Sequence, residues 1–256
     1  MQLLFVNLVT DSLPATALIF NPRERGVMGR PPRPVDEPIL DRWALLRYTT
    51  LGLYVGAATV GAFDIWYTQP TFLGFDLAAD GHTFVSQEQL LGWAGCSADA
   101  NGGPAALWSD FVPSQYALGW SADSVAAGGG AGVVGPFDAD PCDYFGSGKA
   151  KAATLGVTTL VCAQMANALN GVSERDSLLV SPPWRNPTLL LAVAGSLGVH
   201  AAILYVEPLA KTFSVVPLSA EEWAVCLALS APVIAIEEAF KLGGKIASSA
   251  AGRARA

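Results

Sequence analysis

Five long apolar stretches constrain this chain more than any other feature of its sequence. A helix needs about 20 mainly apolar residues to cross a bilayer. Only 14% of the residues are charged, whereas a soluble domain carries about 25%. The sequence therefore predicts an all-α membrane protein, a bundle of five transmembrane helices in the lipid bilayer. The predicted helices cover residues 2–20, 43–66, 152–172, 188–206 and 223–242.

The basic residues predict how these helices are oriented. Lys and Arg concentrate on the cytoplasmic side of membrane proteins, and 12 of the 15 basic residues lie on one side of the five predicted helices. This side is expected to be cytoplasmic, and segment 67–148 is then one long, acidic luminal loop. No basic patch indicates nucleic acid as a partner.

The beginning of the chain does not resemble a signal peptide. It lacks a positive first region, and Asn7, Asp11 and Pro14 interrupt its apolar run. Met1 opens directly onto an apolar stretch, as though the chain began inside a helix. We therefore expect a truncated start.

Two cysteines, Cys96 and Cys142, lie in the predicted luminal loop. In an oxidising lumen they can form a disulfide that ties the loop down. The alternative is two free thiols.

The first predicted helix carries the most informative polar residues. Helical spacing places Asn7, Thr10 and Asp11 on one face. A carboxylate at membrane depth usually faces a partner or a water-filled site. Pro14 crowds the carbonyl of Thr10 and should kink or unwind the helix there. Carboxylate, amide and freed backbone oxygens suit Ca²⁺; the alternative is an amphipathic helix whose polar face meets ordinary protein.

The last predicted helix carries two further carboxylates. Glu237 and Glu238 lie near its cytoplasmic end, where we expect water to reach them. Pro232 is expected to bend this helix.

The residues from Asn7 to Pro14 also resemble the sixth transmembrane helix of calcium-transporting P-type ATPases of the sarco/endoplasmic-reticulum type. The segment from Cys142 to Lys149 is most similar to plant members. Further similar motifs follow in the same order, at Met28–Arg33, Tyr54–Gly61, Asn167–Asn170, Pro182–Trp184, Ile203–Val206, Val216–Ser219 and Pro232–Ile234.

This resemblance implies that residues 1–256 are the C-terminal transmembrane domain of such a pump, equivalent to its sixth to tenth helices. The expected location is the endoplasmic reticulum or a related endomembrane. The transported ion would be Ca²⁺. The expected partner is the N-terminal half of the pump, in the same polypeptide or as a separate chain, and ATP and Mg²⁺ would act only through that half.

The resemblance also implies a set of calcium ligands. Asp11 would bridge two Ca²⁺ ions, Asn7 would serve one of them and Thr10 the other. A glutamate is usual three residues before the Asn167–Asn170 motif, and here that position is Gln164. Glutamine keeps an oxygen donor but loses charge, so a weaker site is expected. The alternative is that Gln164 only packs between helices.

The parts of a pump that act on ATP are absent from these 256 residues: no Asp-Lys-Thr-Gly or Thr-Gly-Glu string occurs. Two hypotheses follow. In the first, the chain is the membrane module of a calcium pump, as a fragment or as half of a split transporter. In the second, it is a stand-alone, non-catalytic regulatory or cation-binding protein derived from the pump scaffold.

Overall fold

The structure is a computed structural model. It describes residues 11–22, 42–96, 108, 111, 113, 116–117, 133–134, 141–146, 148–173 and 176–253.

Helices dominate the described residues. The described part of the predicted luminal loop contains only short helices. In chain order, the α-helices are α1 Ser12–Ala17, α2 Arg42–Thr68, α3 Gln87–Leu91, α4 Pro141–Gly146, α5 Ala150–Asn170, α6 Pro187–Tyr205, α7 Glu207–Phe213, α8 Ala220–Ser230 and α9 Pro232–Arg253. Short 3₁₀ turns cover Leu18–Phe20, Trp93–Gly95 and Pro183–Arg185.

Two short antiparallel hairpins lie in segment 67–148. Strands β1 Thr71–Phe72 and β2 Phe75–Asp76 pair with Phe72 opposite Phe75. The two residues of the connecting turn, Leu73 and Gly74, both have positive φ, 51° and 88°. This is the backbone that a tight two-residue hairpin turn requires. Strands β3 Tyr116–Ala117 and β4 Val133–Val134 form the second hairpin.

Three helical segments of the described chain are long and apolar enough to cross a membrane: Cys142–Asn170, Pro187–Tyr205 and Ala220–Ile246. They correspond to the third, fourth and fifth predicted helices, to within two residues at the ends of the third and fourth. The second predicted helix forms as α2, which has 27 residues but includes Arg42, Arg47 and Asp64. An all-α membrane fold with three such segments is thus present.

The last predicted helix is interrupted just before Pro232, where a bend was predicted. Helix α8 ends at Ser230 and α9 begins at Pro232, since proline lacks an N–H and fits only the first turn of a helix. Helix α9 continues to Arg253, well past the predicted end at residue 242.

The chain divides into two compact units. Unit 1 comprises residues 1–57, 160–200 and 229–256, and unit 2 comprises residues 58–159 and 201–228.

Unit 1 has two apolar clusters that join its helices. One contains Ala17 of α1, Met165 of α5 and Leu189 of α6. The other contains Leu51 of α2, Ala163 of α5 and Val233 of α9. Helix α5 therefore packs against each of the other helices of unit 1.

Unit 2 has an aromatic core. Its rings stack or meet edge to face at centroid distances between 4.8 and 6.4 Å, the range in which aromatic pairs attract one another. The rings come from α2, from α4 and from the chain between them: Trp66, Tyr67, Trp108, Phe111, Tyr144 and Phe145. Segment 67–148 is thus anchored to the end of α2 by aromatic packing.

Candidate cation site

Asp11 directly precedes helix α1 and is half-buried. Its backbone is helical (φ −86°, ψ −31°), its carbonyl accepts the N–H of Ala15 at 3.1 Å, and its carboxylate makes no capping hydrogen bond. Pro14 is buried in the first turn of α1, where a missing N–H leaves no carbonyl unpaired. Helix α1 therefore begins directly after Asp11, and the interruption predicted at Thr10 lies outside the described residues.

Asn7 and Thr10, the other predicted ligands of this segment, lie outside the described residues. Their roles as calcium ligands stay predictions.

Gln164, the fourth predicted ligand, is half-buried on α5. Its neighbours Ala163 and Met165 both belong to the apolar clusters of unit 1. Among the described residues, no hydrogen bond joins the side chains of Asp11 and Gln164.

Two asparagines fasten the end of α1 to α5 and α6. The amide of Asn21 donates a hydrogen bond to the carbonyl of Val172, just beyond α5. The amide of Asn186, just before α6, donates to the carbonyl of Ala17 at 3.1 Å. Asn186 thereby satisfies a backbone oxygen that the end of a helix leaves without a partner.

The segments that directly follow α1 and α5 also approach closely at a glycine. A Cβ atom at Gly171 would lie 3.4 Å from Cδ1 of Leu18. Three residues after Leu18, Asn21 binds the carbonyl of Val172, which directly follows Gly171. Both residue numbers increase from the first contact to the second, so the two segments run in the same direction.

The described residues contain no group of three or more His, Cys, Asp or Glu side chains that could hold a metal ion. The predicted set is of another kind, with one carboxylate, two amides and one hydroxyl. Neutral oxygens of this type are common ligands of Ca²⁺.

The two luminal cysteines lie together in unit 2. Cys96 and Cys142 are joined by a disulfide, with their Cα atoms 5.2 Å apart. Cys142 belongs to α4, which also carries Tyr144 and Phe145 of the aromatic core. Cys162 and Cys226 are buried free thiols.

A buried ion pair in unit 1 overturns one expectation. Glu237 is only 2% exposed, and its Oε2 accepts hydrogen bonds from Nε and Nη2 of Arg47, both at 2.7 Å. The prediction that water reaches Glu237 was therefore wrong. The reason is that Arg47 of α2, distant in sequence, covers it.

A second buried charge, Lys241, follows one turn later on α9. Lys241 is 4% exposed, and its Nζ donates to the carbonyl of Asn170 at 3.0 Å. Its other close partner is Oε1 of Glu238, at 3.5 Å. The same Oε1 accepts the backbone N–H of Leu178 at 2.9 Å.

Sequence reasoning missed this network of charges. One signal was available: Glu237, Glu238 and Lys241 have the spacing that places them on neighbouring positions of a helix surface. Charged side chains within an apolar helix are also expensive unless they are paired. Neither fact identifies the partners on α2 and α5.

Comparison with known proteins agrees with the family resemblance of the sequence motifs. The family model for the cation transporting ATPase C-terminus matches residues 1–243. The chain is 48% identical over 247 residues to "Calcium-transporting ATPase 4, endoplasmic reticulum-type" of Arabidopsis thaliana, which covers 96% of the chain. It is 47% identical to "Calcium-transporting ATPase 2, endoplasmic reticulum-type" of the same plant over 95% of the chain.

A more distant relative shares the same region. The chain is 41% identical over 244 residues, 95% of its length, to "Calcium-transporting ATPase" of Plasmodium falciparum. The chain spans 21% of the length of each plant relative and 17% of this third one.

Proposed function

The chain belongs to the family of cation-transporting ATPase C-terminal domains, and on this premise we propose that it is the C-terminal membrane part of a calcium pump. Residues 1–256 form the transmembrane domain, with α2 and the segment around α1 crossing the bilayer beside the three long apolar segments. The membrane is that of the endoplasmic reticulum, as the names of the plant relatives suggest.

In this proposal the chain supplies part of the binding sites for Ca²⁺. Asn7, Thr10 and Asp11 contribute oxygens from the segment that leads into α1, and Gln164 contributes its amide oxygen from α5. The single observation that carries the proposal is the alignment of α1 with α5. Leu18 meets Gly171, and these residues differ by 153 in number, as do Asp11 and Gln164.

This equal offset supports a common depth for the two ligands. The segments run in the same direction and rise by similar amounts per residue, since both are helical between these positions. Counting back from the Leu18–Gly171 contact therefore brings Asp11 and Gln164 to about the same level.

The remaining parts of the pump act through the N-terminal half. That half holds the phosphorylation and nucleotide-binding domains, and ATP and Mg²⁺ bind there. This chain contributes no group to phosphoryl transfer. Its own residues bind and release the ion while the other half supplies the energy.

The replacement of Asp11 by asparagine tests the proposal. In the whole pump, expressed in microsomes of cells that lack their own calcium pumps, Asp11→Asn keeps the shape of the side chain but removes its charge. Because calcium affinity depends on ligand charge, we expect calcium-dependent phosphorylation by ATP to be abolished. The measurement is the amount of phosphoenzyme against free Ca²⁺.

A matched control is Asp64→Asn, which changes a carboxylate of α2 that hydrogen-bonds Gln87. This variant should keep the calcium dependence of the parent. An Asp11→Asn pump with unchanged calcium dependence would remove Asp11 from the ligand set.

A further inference from the structure

The carboxyl end of α5 is held by a lysine from another helix. Nζ of Lys241 lies 3.0 Å from the carbonyl oxygen of Asn170, the last residue of α5. The last four carbonyls of a helix have no partner within the helix, and the helix dipole favours a cation there. A buried ammonium is costly unless it is paired, so this geometry fixes both groups firmly.

The chain that follows α5 is held by the same turn of α9. Glu238 accepts the backbone N–H of Leu178 and also lies beside the ammonium of Lys241. Asn170 itself is 1% exposed, and its amide approaches the carbonyl of Val233 at the start of α9. Helix α9 therefore contacts the end of α5 through main chain and side chains together.

Helix α9 is in turn fixed to α2. Arg47 binds the buried carboxylate of Glu237. Trp43 packs its ring edge to face against Phe240, with centroids 5.5 Å apart. A Cβ atom at Gly243 would lie only 3.2 Å from Cη2 of Trp43, so the glycine permits this close approach.

Helix α1 attaches at the same point. Asn21 binds the carbonyl of Val172, two residues beyond the carbonyl that Lys241 binds. The end of α5 is thus fixed by α1 and by α9 within three consecutive residues. Gln164 lies six residues before Asn170 on the same helix, which is about 9 Å along the axis.

We propose that Lys241 is a positioning residue for calcium transport, because its bond to Asn170 fixes the depth of α5 and thereby sets Gln164 against the Asp11 segment. The inference rests on the proposed calcium transport. Helix α9 provides none of the predicted ligands. The inference gives α9 a role in calcium affinity, which it exerts through α5.

The test replaces Lys241 by methionine in the whole pump. Methionine keeps most of the length and apolar contact of the side chain but removes the charged donor. We expect the free Ca²⁺ that gives half-maximal phosphorylation to rise about tenfold, the factor that corresponds to losing one hydrogen bond from a charged group. Lys241→Arg keeps a charged donor and should restore most of the affinity.

Lys245→Met is the matched control. Lys245 lies one turn further along α9, and its side chain is 45% exposed in an ion pair with Asp176. Exposed pairs of this kind contribute little. We expect its half-maximal Ca²⁺ to stay within about twofold of the parent.

A double-mutant cycle separates positioning from general stability. If Lys241 acts through Gln164, then Lys241→Met should change the half-maximal Ca²⁺ by less than about twofold in a Gln164→Ala background. Equal shifts in both backgrounds would overturn the positioning role. So would a Lys241→Met pump that makes less phosphoenzyme at an unchanged half-maximal Ca²⁺.

Two outcomes distinguish the inference from its premise. Where Lys241→Met does not reach the membrane, Glu238→Gln provides a milder version of the test, because it keeps an acceptor for Leu178 but removes the charge that holds the ammonium of Lys241 beside Asn170. A parent pump without any calcium-dependent phosphorylation would overturn the proposed function and, with it, this inference. A calcium-dependent parent with unshifted variants would overturn the inference alone.

Discussion

The two units of the molecule are stabilised by different chemistry. In unit 1, charged side chains are buried between helices, as Arg47 with Glu237 and Lys241 with Asn170. In unit 2, aromatic rings and a disulfide fasten segment 67–148 to the end of α2. The difference teaches that an apolar helical chain can fix its helices with ion pairs, whereas a long polar segment needs its own small core.

The contrast has one exception on each side. Unit 2 also contains a buried ion pair, in which Nζ of Lys151 lies 3.1 Å from Oε1 of Glu222 and both side chains are 4% exposed. Unit 1 also has apolar clusters, with Leu189 and Val233 fully buried. Both units thus have ordinary apolar packing, and they differ in the further contacts that stabilise them: mainly buried charges in unit 1, and mainly aromatic rings and a disulfide in unit 2.

The largest effect on stability should come from breaking the Arg47–Glu237 pair. Glu237→Leu leaves a guanidinium with little access to water and no partner, which costs about 3–5 kcal/mol. The measurement is the thermal unfolding of the purified full chain in detergent micelles. The paired variant Arg47→Met with Glu237→Leu should recover most of this loss, because an apolar pair replaces the ions. A double variant as unstable as the single one would contradict the role of the pair.

The next effect should come from the disulfide of unit 2. Cys96→Ser opens a loop that separates the two cysteines by 46 residues, and its loss costs about 2–4 kcal/mol because the unfolded chain becomes less constrained. The same unfolding measurement should show that a reducing agent destabilises the parent but not Cys96→Ser. Cys162→Ser, at a buried free thiol, is the control whose response to the reductant matches the parent. Equal sensitivity of parent and Cys96→Ser would contradict the disulfide.

The smallest of the three effects should come from a histidine in unit 2. His82 is 4% exposed; its Nε2 lies 2.6 Å from the carbonyl of Trp66 and its Nδ1 lies 2.5 Å from Oδ1 of Asp80. The ring also stacks on Trp66 at 3.8 Å. His82→Phe keeps a ring but leaves both polar groups without this partner, for a loss of about 1–3 kcal/mol. A variant as stable as the parent would show that ring stacking alone fastens this turn.

The sequence predicted where the helices begin and end better than it predicted which of their side chains are buried. The bounds of α2, α5 and α6 differ from the predicted ranges by two residues or fewer, because apolar runs and their breakers are local signals. The interruption at Pro232 was also predictable, since it follows from the missing N–H of one residue. The burial of Glu237 was not, because it depends on Arg47, which is 190 residues away.

The candidate cation site was also predictable only in part. A carboxylate beside a proline in an apolar helix can be recognised from the sequence, and Asp11 indeed directly precedes α1. Spacing along α1 carries no information on which residue of α5 lies opposite. The register between the two segments comes from contacts that only the folded chain makes, at Leu18 with Gly171 and at Asn21 with Val172.

By itself, the sequence determined that the chain is an apolar, helical membrane protein of the cation-transporting ATPase family, with a candidate cation site in one short segment. Those properties depend on composition, local periodicity and motif order, which a linear chain carries in full. The tertiary structure decided which charges are buried, which helix ends they hold, and which turn of α5 meets α1. The physical reason is that ion pairs and helix contacts join residues far apart in sequence, and a buried charge reveals its partner only when both are packed together.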